Sequence, residues 1–252
     1  MNAALAGKRV LVTRPGAGAD AFARQLREAG AEPILAPTVA IGPPDDPAAA
    51  VAAAHNARRY AWVVFTSRNG VDAFFAAGGT IQATRVDGSL KVAAIGPQTA
   101  VALAEHGVAV DLVPRTYLNE ALATELLANT VRGDRILVYA AQQARDVLAA
   151  TLRAFGRRVD AVAAYRTDVI GDPALAAKTA GADIVTFTSA STVLGFIAGV
   201  PDAAAVLRDK TVAAIGPITA QAARDAGIRV DVVPKAFTVE GLLLALAATA
   251  HA

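Results

Sequence analysis

The chain has 252 residues, is 54% hydrophobic and carries 24 Lys and Arg against 22 Asp and Glu. That length allows one large or two ordinary domains, and a net charge of +2 gives no electrostatic footprint for nucleic acid. With no cysteine, disulfides, thiolate metal sites and cysteine nucleophiles are excluded, and three histidines, at 55, 106 and 251, make a poor metal set. Lys8 and Arg9 interrupt the N-terminus too early for a signal peptide, and the longest uncharged stretch, Ile184 to Pro201, is studded with Thr and Ser. A soluble cytoplasmic protein without a membrane partner is the expectation.

In chain order, Lys8 to Thr13 reads as a strand and Ala19 to Ala29 as a helix ended by Gly30. The proline-bearing stretch 33–41 is extended, and 42–47 is a turn or linker. A helix to about Ala57 precedes a strand, Ala61 to Phe65, and a helix from the Thr66-Ser67-Arg68 turn to Ala77. Helix 97–106, strand Val108 to Val113 and a helix to Ala128 follow. Strand Arg135 to Tyr139, helix Gln142 to Phe155 and an extended run Arg157 to Thr167 come next. Strand Ile184 to Phe187, helix 191–198, strand Arg229 to Val233 and helix Val239 to Ala248 complete the pattern.

Strands alternate with helices, which predicts an α/β protein with parallel sheets flanked by helices. The pattern is also doubled. Val92-Ala-Ala-Ile-Gly-Pro-Gln-Thr-Ala100 returns as Val212-Ala-Ala-Ile-Gly-Pro-Ile-Thr-Ala220, eight of nine residues identical at an offset of 120. Val63-Val-Phe-Thr-Ser67 matches Val185-Thr-Phe-Thr-Ser189, and Val110-Asp-Leu-Val-Pro114 matches Val230-Asp-Val-Val-Pro234. A period near 120 residues means two similar domains rather than a solenoid. The two extended stretches occupy equivalent places in the copies. If the chain crosses at both, one domain is 40–165 and the other joins 1–37 to 168–252; a single cut near residue 130 is the alternative.

Each Ile-Gly-Pro-x-Thr motif predicts a strand end, a break and a helix whose first turn holds Pro97 or Pro217, with Thr99 or Thr219 in the same turn. Free N–H groups at such a start favour anions. Ligands of open parallel sheets bind beyond the carboxyl ends of strands, where Thr66, Ser67, Thr188 and Ser189 also fall. As bare helix caps these hydroxyls need no ligand. Arg14, after the first strand, suits a carboxylate or phosphate, or a structural contact. Gly16-Ala-Gly18-Ala-Asp-Ala21 fits a dinucleotide fingerprint only formally, since Thr-Arg-Pro intervenes after the strand and Ala36-Pro37 stands where a ribose-binding acid belongs. Tyr165 ends an apolar run at a suspected crossing, where its phenol could hydrogen-bond or protonate a leaving hydroxyl.

Val12-Thr-Arg-Pro15, Trp62-Val-Val-Phe-Thr-Ser-Arg-Asn-Gly-Val71, the two Ile-Gly-Pro-x-Thr motifs, Ala164-Tyr-Arg-Thr167 and Pro234-Lys-Ala-Phe-Thr-Val-Glu-Gly-Leu242, in that order, resemble the uroporphyrinogen-III synthase family. The resemblance implies two α/β domains joined by a two-stranded linker. It implies a substrate, hydroxymethylbilane, that is closed with loss of water and inversion of the last pyrrole ring through a spiro intermediate, without a cofactor. It places the family's linker tyrosine on Tyr165 as the catalytic candidate, and its substrate-binding hydroxyls on Thr66, Ser67, Thr99, Ser189 and Thr219. Ala190 and Ser191 stand where the first copy has Arg68 and Asn69, so the second set of contacts departs from the first. A monomer is expected. A non-catalytic two-domain binder or sensor of an anionic small molecule is the other reading.

Overall fold

The computed structural model describes residues 4–81 and 90–249. In chain order its elements are β1 (Arg9–Val12), α1 (Ala17–Glu28), β2 (Glu32–Leu35), β3 (Val39–Gly42), α2 (Pro47–His55), β4 (Trp62–Phe65), α3 (Arg68–Ala76), β5 (Lys91–Ala94) and α4 (Pro97–Glu105). There follow α5 (Asn119–Asn129), β6 (Arg135–Ala141), α6 (Val147–Ala154), β7 (Arg158–Val169), α7 (Leu175–Ala180), β8 (Ile184–Phe187), α8 (Ala190–Gly199), α9 (Ala203–Val206), β9 (Thr211–Ala214), α10 (Pro217–Asp225) and α11 (Val239–Thr249).

These elements form two compact units. One joins the residues up to Ile41 with those from Asp168 onward, and the other is Gly42–Thr167. The first holds a sheet of order β2-β1-β8-β9, every neighbouring pair parallel. The second sheet has the order β3-β7-β6-β4-β5, parallel wherever β7, β6, β4 and β5 pair. The α/β class with helix-flanked parallel sheets is thus what the alternating pattern predicts.

Alternation along each strand decides which helices cover which face. In Gly42–Thr167, Val63 and Phe65 point to a core shared with α2, α3 and α4, whereas Trp62 and Val64 point to one shared with α5 and α6. In the other unit, Val185 and Phe187 meet α7, α8 and α10, while Val10, Val12 and Ile184 meet α1 and α11. Phe65, Phe74 and Tyr139 are fully buried and pack edge to face, with ring centroids 5.3 to 6.2 Å apart. The Tyr139 hydroxyl is satisfied by donating to the Ala50 carbonyl at 3.2 Å.

Three local expectations change. The segments after α4 and α10 are not strands: each touches its sheet at one bridging residue, Leu112 on Ala93 and Val232 on Ala213. Gly107 and Gly227, with φ of 72° and 74°, end the preceding helices in the left-handed region that glycine adopts freely. The helix expected from Gln142 starts at Val147, because both glutamine side chains are otherwise engaged. Gln142 Oε1 accepts from the Asp45 N–H at 2.8 Å, and Gln143 pairs through both amide atoms with the Thr167 backbone at 3.2 and 3.3 Å. The extended stretch 33–41 divides into β2 and β3, with Ala36, Pro37 and Thr38 in neither.

Candidate functional site

In Gly42–Thr167 the carboxyl ends of four parallel strands gather the hydroxyls that the sequence singles out. Thr66 and Ser67 follow β4, and Gly96-Pro97 follows β5. Tyr165 lies in β7 beside the end of β6, its partner being Ala141. The β6–β7 register slips there, from Ala140 opposite Ala163 to Ala141 opposite Tyr165, which leaves Ala164 as a bulged extra residue. Because of the bulge, consecutive residues Ala164 and Tyr165 are both buried, at 4% and 8% exposure.

The Tyr165 phenol donates to Ser67 Oγ at 3.0 Å. Ser67 is the N-cap of α3, its Oγ also accepting the Gly70 N–H at 3.0 Å. Gly70 is required by this closeness: a Cβ there would lie 3.1 Å from the Tyr139 carbonyl oxygen and 3.3 Å from Ser67 Oγ. Arg68 turns away from these hydroxyls, to a two-pronged ion pair with Glu105 and a contact with Asp72 at 3.8 Å. The guanidinium is pushed further above its ordinary range by the Glu105 hydrogen bonds.

Thr99 and Thr219 occupy the first turns of α4 and α10 behind Gly96-Pro97 and Gly216-Pro217. They are 4% and 5% exposed, yet neither hydroxyl bonds to any described residue. Each therefore keeps its hydrogen-bonding capacity at a helix start whose own side chains cap nothing. The Asp in each matched motif explains how these mouths are built. Asp111 accepts the N–H of Val92, the second residue of β5, at 2.7 Å, and Asp231 accepts that of Val212, the second residue of β9, at 2.9 Å. The returning segment is thereby held to the edge strand, and six residues after each aspartate it lays an aromatic ring over the glycine. A Cβ on Gly96 would meet the Tyr117 ring at 3.4 Å, and one on Gly216 the Phe237 ring at 3.4 Å. Both rings are about two-fifths exposed. Sequence reasoning passes over Tyr117; the signal for it was the 120-residue offset from Phe237, which lies inside a quoted motif.

In the other unit Ser189 caps α8 through a capping box with Thr192, and its Oγ lies 2.8 Å from Ser191 Oγ. Among the described residues of this unit, the Ser189 side chain bonds only within its own turn, to Ser191 and Thr192. The Thr38 hydroxyl instead donates to the Thr192 carbonyl at 2.9 Å. Arg14 lies over the first turn of α1, since a Cβ on Gly18 would fall 2.6 Å from its Nη2. The Glu240 carboxyl is held below its usual range, chiefly by its own backbone N–H, with Gln25, Thr238 and the Arg14 charge adding to the effect against the opposing influence of burial.

Among the described residues no three His, Asp or Glu side chains gather to hold a metal, and no helix is long and apolar enough to cross a membrane. His106 is occupied in stacking on Phe75, with centroids 4.0 Å apart, and His251 lies outside the described residues.

A family model described as uroporphyrinogen-III synthase HemD matches residues 20–243. The porphyrin biosynthesis protein HemD of Ruminiclostridium josui is 32% identical over 248 residues, covering 96% of this chain but 49% of that longer protein. The uroporphyrinogen-III synthase of Synechococcus elongatus is also 32% identical, across 96% of this chain and 95% of its own length. The fold is shared with a crystal structure of a mutant uroporphyrinogen III synthase from Thermus thermophilus, at 22% identity and a TM-score of 0.65, the match covering 94% of this chain and 96% of that one. It is shared too with uroporphyrinogen-III synthetase of Helicobacter pylori, at 16% identity and a TM-score of 0.57, over 94% and 96% of the two chains. By sequence, the chain belongs to the uroporphyrinogen-III synthase family.

Proposed function

We propose that this chain converts hydroxymethylbilane to uroporphyrinogen III, closing the linear tetrapyrrole with loss of water and inversion of the last ring through a spiro intermediate. The family match across nearly the whole length of this chain and of its Synechococcus elongatus relative carries the reading. Tyr165 is the catalytic residue in it. The bond from the terminal methylene to the hydroxyl oxygen breaks, and the phenol supplies the hydrogen bond or proton with which that oxygen leaves as water. The observation that motivates this role is the Tyr165–Ser67 contact: a hydroxyl pair fixes the phenol at the carboxyl edge of the sheet while leaving the ring in the core.

Thr66, Ser67 and Thr99 in one unit, and Arg14, Ser189 and Thr219 in the other, are the substrate-binding residues of this reading. Carboxylate arms of the substrate meet helix starts and hydroxyls there. Holding a flexible chain in a closing conformation accounts for most of the acceleration, as proximity and orientation. The same reading has the chain act in the cytoplasm, as a monomer, without cofactor and without nucleic acid.

The test is a coupled assay in which hydroxymethylbilane is generated in situ and the oxidised type I and type III isomers are separated. Type III in excess of the spontaneous type I background, with no cofactor added, is expected. Type I alone from demonstrably folded protein would overturn the reading and leave a binder of anionic small molecules.

A further inference from the structure

Strand β7 is twelve residues long, and its two neighbours share it unequally. On the inner side β6 pairs with it from Arg158 to Tyr165. On the outer side stands β3, which has four residues. The Thr38 carbonyl just ahead of β3 accepts from the Ile170 N–H just beyond β7 at 2.9 Å, so β3 flanks the last part of β7. The outer edge of the first part, around Val159 to Ala161, has no strand beside it.

The hydrogen bonds show how the backbone is directed there. The Arg158 N–H donates inward, to the Asp134 carbonyl at 2.8 Å. Successive residues of a strand turn their N–H and C=O groups to opposite sides, so Val159 and Ala161 present theirs outward. A side chain meets the first of these carbonyls: Arg153 of α6 donates to the Val159 oxygen through Nε and Nη2 at 3.2 and 3.0 Å. A guanidinium thus stands where a further strand would place its donor. The outward N–H and carbonyl of Ala161 are met by no described side chain.

A recess of about 510 Å³ runs along this edge. Four consecutive residues, Val159 to Val162, line it, and consecutive strand residues face opposite sides of a sheet. Its walls also come from both sides, Ala49 and Ala52 of α2 on one and Arg153 on the other. The recess therefore follows the rim of the strand and covers neither face.

Its charge is one-sided. Arg59, Arg135 and Arg153 line it against a single carboxylate, Asp160, which already accepts from the Tyr60 phenol at 2.7 Å and from Arg135 at 3.1 Å. Arg59 is exposed and pairs with no described side chain. The charges of Arg59 and Arg135 both act on Tyr60, which packs in the core shared with α2, whereas Arg153 belongs to α6. Successive side chains of a strand laid on this edge would alternate between those two sides and meet a guanidinium on each.

Three occupants can be compared. A second copy of β7 would bring its own arginines against these, with one engaged carboxylate to offset them. A small inorganic anion answers the guanidinium groups and leaves the strand edge unanswered. An extended acidic peptide answers both.

We infer that the outer edge of β7 at Val159–Ala161 is a docking site for an acidic segment of a partner protein, which adds a further strand to this sheet. Its backbone exchanges hydrogen bonds with Ala161, and its carboxylates pair with Arg59 on the α2 side and Arg153 on the α6 side. Nothing in this depends on the reaction proposed above.

The probe is the blocked heptapeptide Ala-Ala-Asp-Asp-Asp-Ala-Ala, titrated into the isotope-labelled full chain and followed by amide NMR and hydrogen exchange. Two companions go with it. One is N-methylated at two adjacent aspartates, which keeps the charge and removes a donor from each edge of the peptide. The other has lysine in place of aspartate. Saturable shifts centred on Val159–Ala161 are expected, with exchange of the Ala161 amide slowed about tenfold or more at saturation. Binding should be weaker by about fivefold or more for the N-methylated peptide, and the lysine peptide should produce none of these shifts. Arg59→Glu should weaken binding by about fivefold or more while the urea midpoint stays at the wild-type value. Ala161→Pro, which removes an outward donor and leaves the β6 pairing its bonds, should weaken binding too; if that variant fails to fold, Arg59→Glu decides alone. No binding by the wild-type chain, equal binding of the N-methylated peptide, shifts centred elsewhere, or undiminished binding in Arg59→Glu would each overturn the proposal.

Discussion

The Tyr165 phenol donates to Ser67 Oγ across 98 residues of sequence, and Ser67 Oγ simultaneously accepts the Gly70 N–H. Both acceptor positions of the serine oxygen are thereby used, so its own proton is left to donate to a third group. Tyr165→Phe should lower the rate of type III formation by at least tenfold while unfolding free energy changes by about 1 kcal/mol or less, the usual net value of one hydrogen bond. Ser67→Ala removes a helix cap as well, and about 1 kcal/mol more stability should go with it. Initial rates paired with urea unfolding of both variants check this. Full activity in Tyr165→Phe would remove the phenol from the mechanism.

The aspartates of the doubled motif should prove stabilising at matching places. Asp111→Ala leaves the fully buried Val92 with an N–H that has lost its acceptor, and Asp231→Ala does the same to Val212. A cost of about 1–2 kcal/mol each is expected, with faster amide exchange at Val92 or Val212 in the respective variant. Protection unchanged at those two amides would show that the segments are held by other contacts.

Gly195 is a packing requirement of the unit that contains β8. A Cβ there would lie 2.4 Å from the Thr38 carbonyl oxygen. That oxygen cannot easily retreat, since it accepts from the Ile170 N–H at 2.9 Å while the Thr38 N–H donates to Thr13 at 3.0 Å. Gly195→Ala should destabilise by about 1–3 kcal/mol through overpacking, read as a lower urea midpoint with an unchanged slope. A midpoint within experimental scatter of wild type would mean that the segment around Thr38 shifts freely.

Tyr60 makes stability sensitive to alkali. Burial, followed by its 2.7 Å hydrogen bond to Asp160, pushes the phenol up to about 12 from 10.0. The folded state thus favours the protonated form. The stabilisation is complete below pH 10 and is lost as pH rises from 10 towards 12. Urea midpoints of Tyr60→Phe should fall less steeply than those of wild type across that window. Parallel curves would contradict the assignment.

Much of this architecture could be read before any coordinates. Repeated strand-turn-helix motifs announced the parallel sheets, and Ser67 and Ser189 were recognisable as caps from their place after apolar strands. What could not be read were relations between distant side chains. Nothing near Ser67 in sequence points to Tyr165, and a bulge at Ala164 breaks the alternation by which a strand's inward residues are counted. The glutamines at 142 and 143 favour helix by propensity, but tertiary hydrogen bonds to Asp45 and Thr167 outweigh that preference. Tyr117 was hidden for a different reason: an exposed aromatic in a loop acquires meaning only from the glycine beneath it.

The sheet orders carry a consequence for biosynthesis. Strands β7, β6, β4 and β5 come from one uninterrupted stretch, whereas the β2-β1 pair joins its sheet through β8, where Val10 lies opposite Ile184, 174 residues later. As the chain emerges, Gly42–Thr167 can fold while its successor is still being translated. Within the first forty residues β1 and β2 can pair only with each other, and β1 lacks its second neighbour until β8 has been added through Phe187. An early-made β1-α1-β2 segment with an open sheet edge is therefore the part of this polypeptide most exposed to misassociation during synthesis, and a chain stopped between Thr167 and Ile184 should carry one folded unit and one stranded tail.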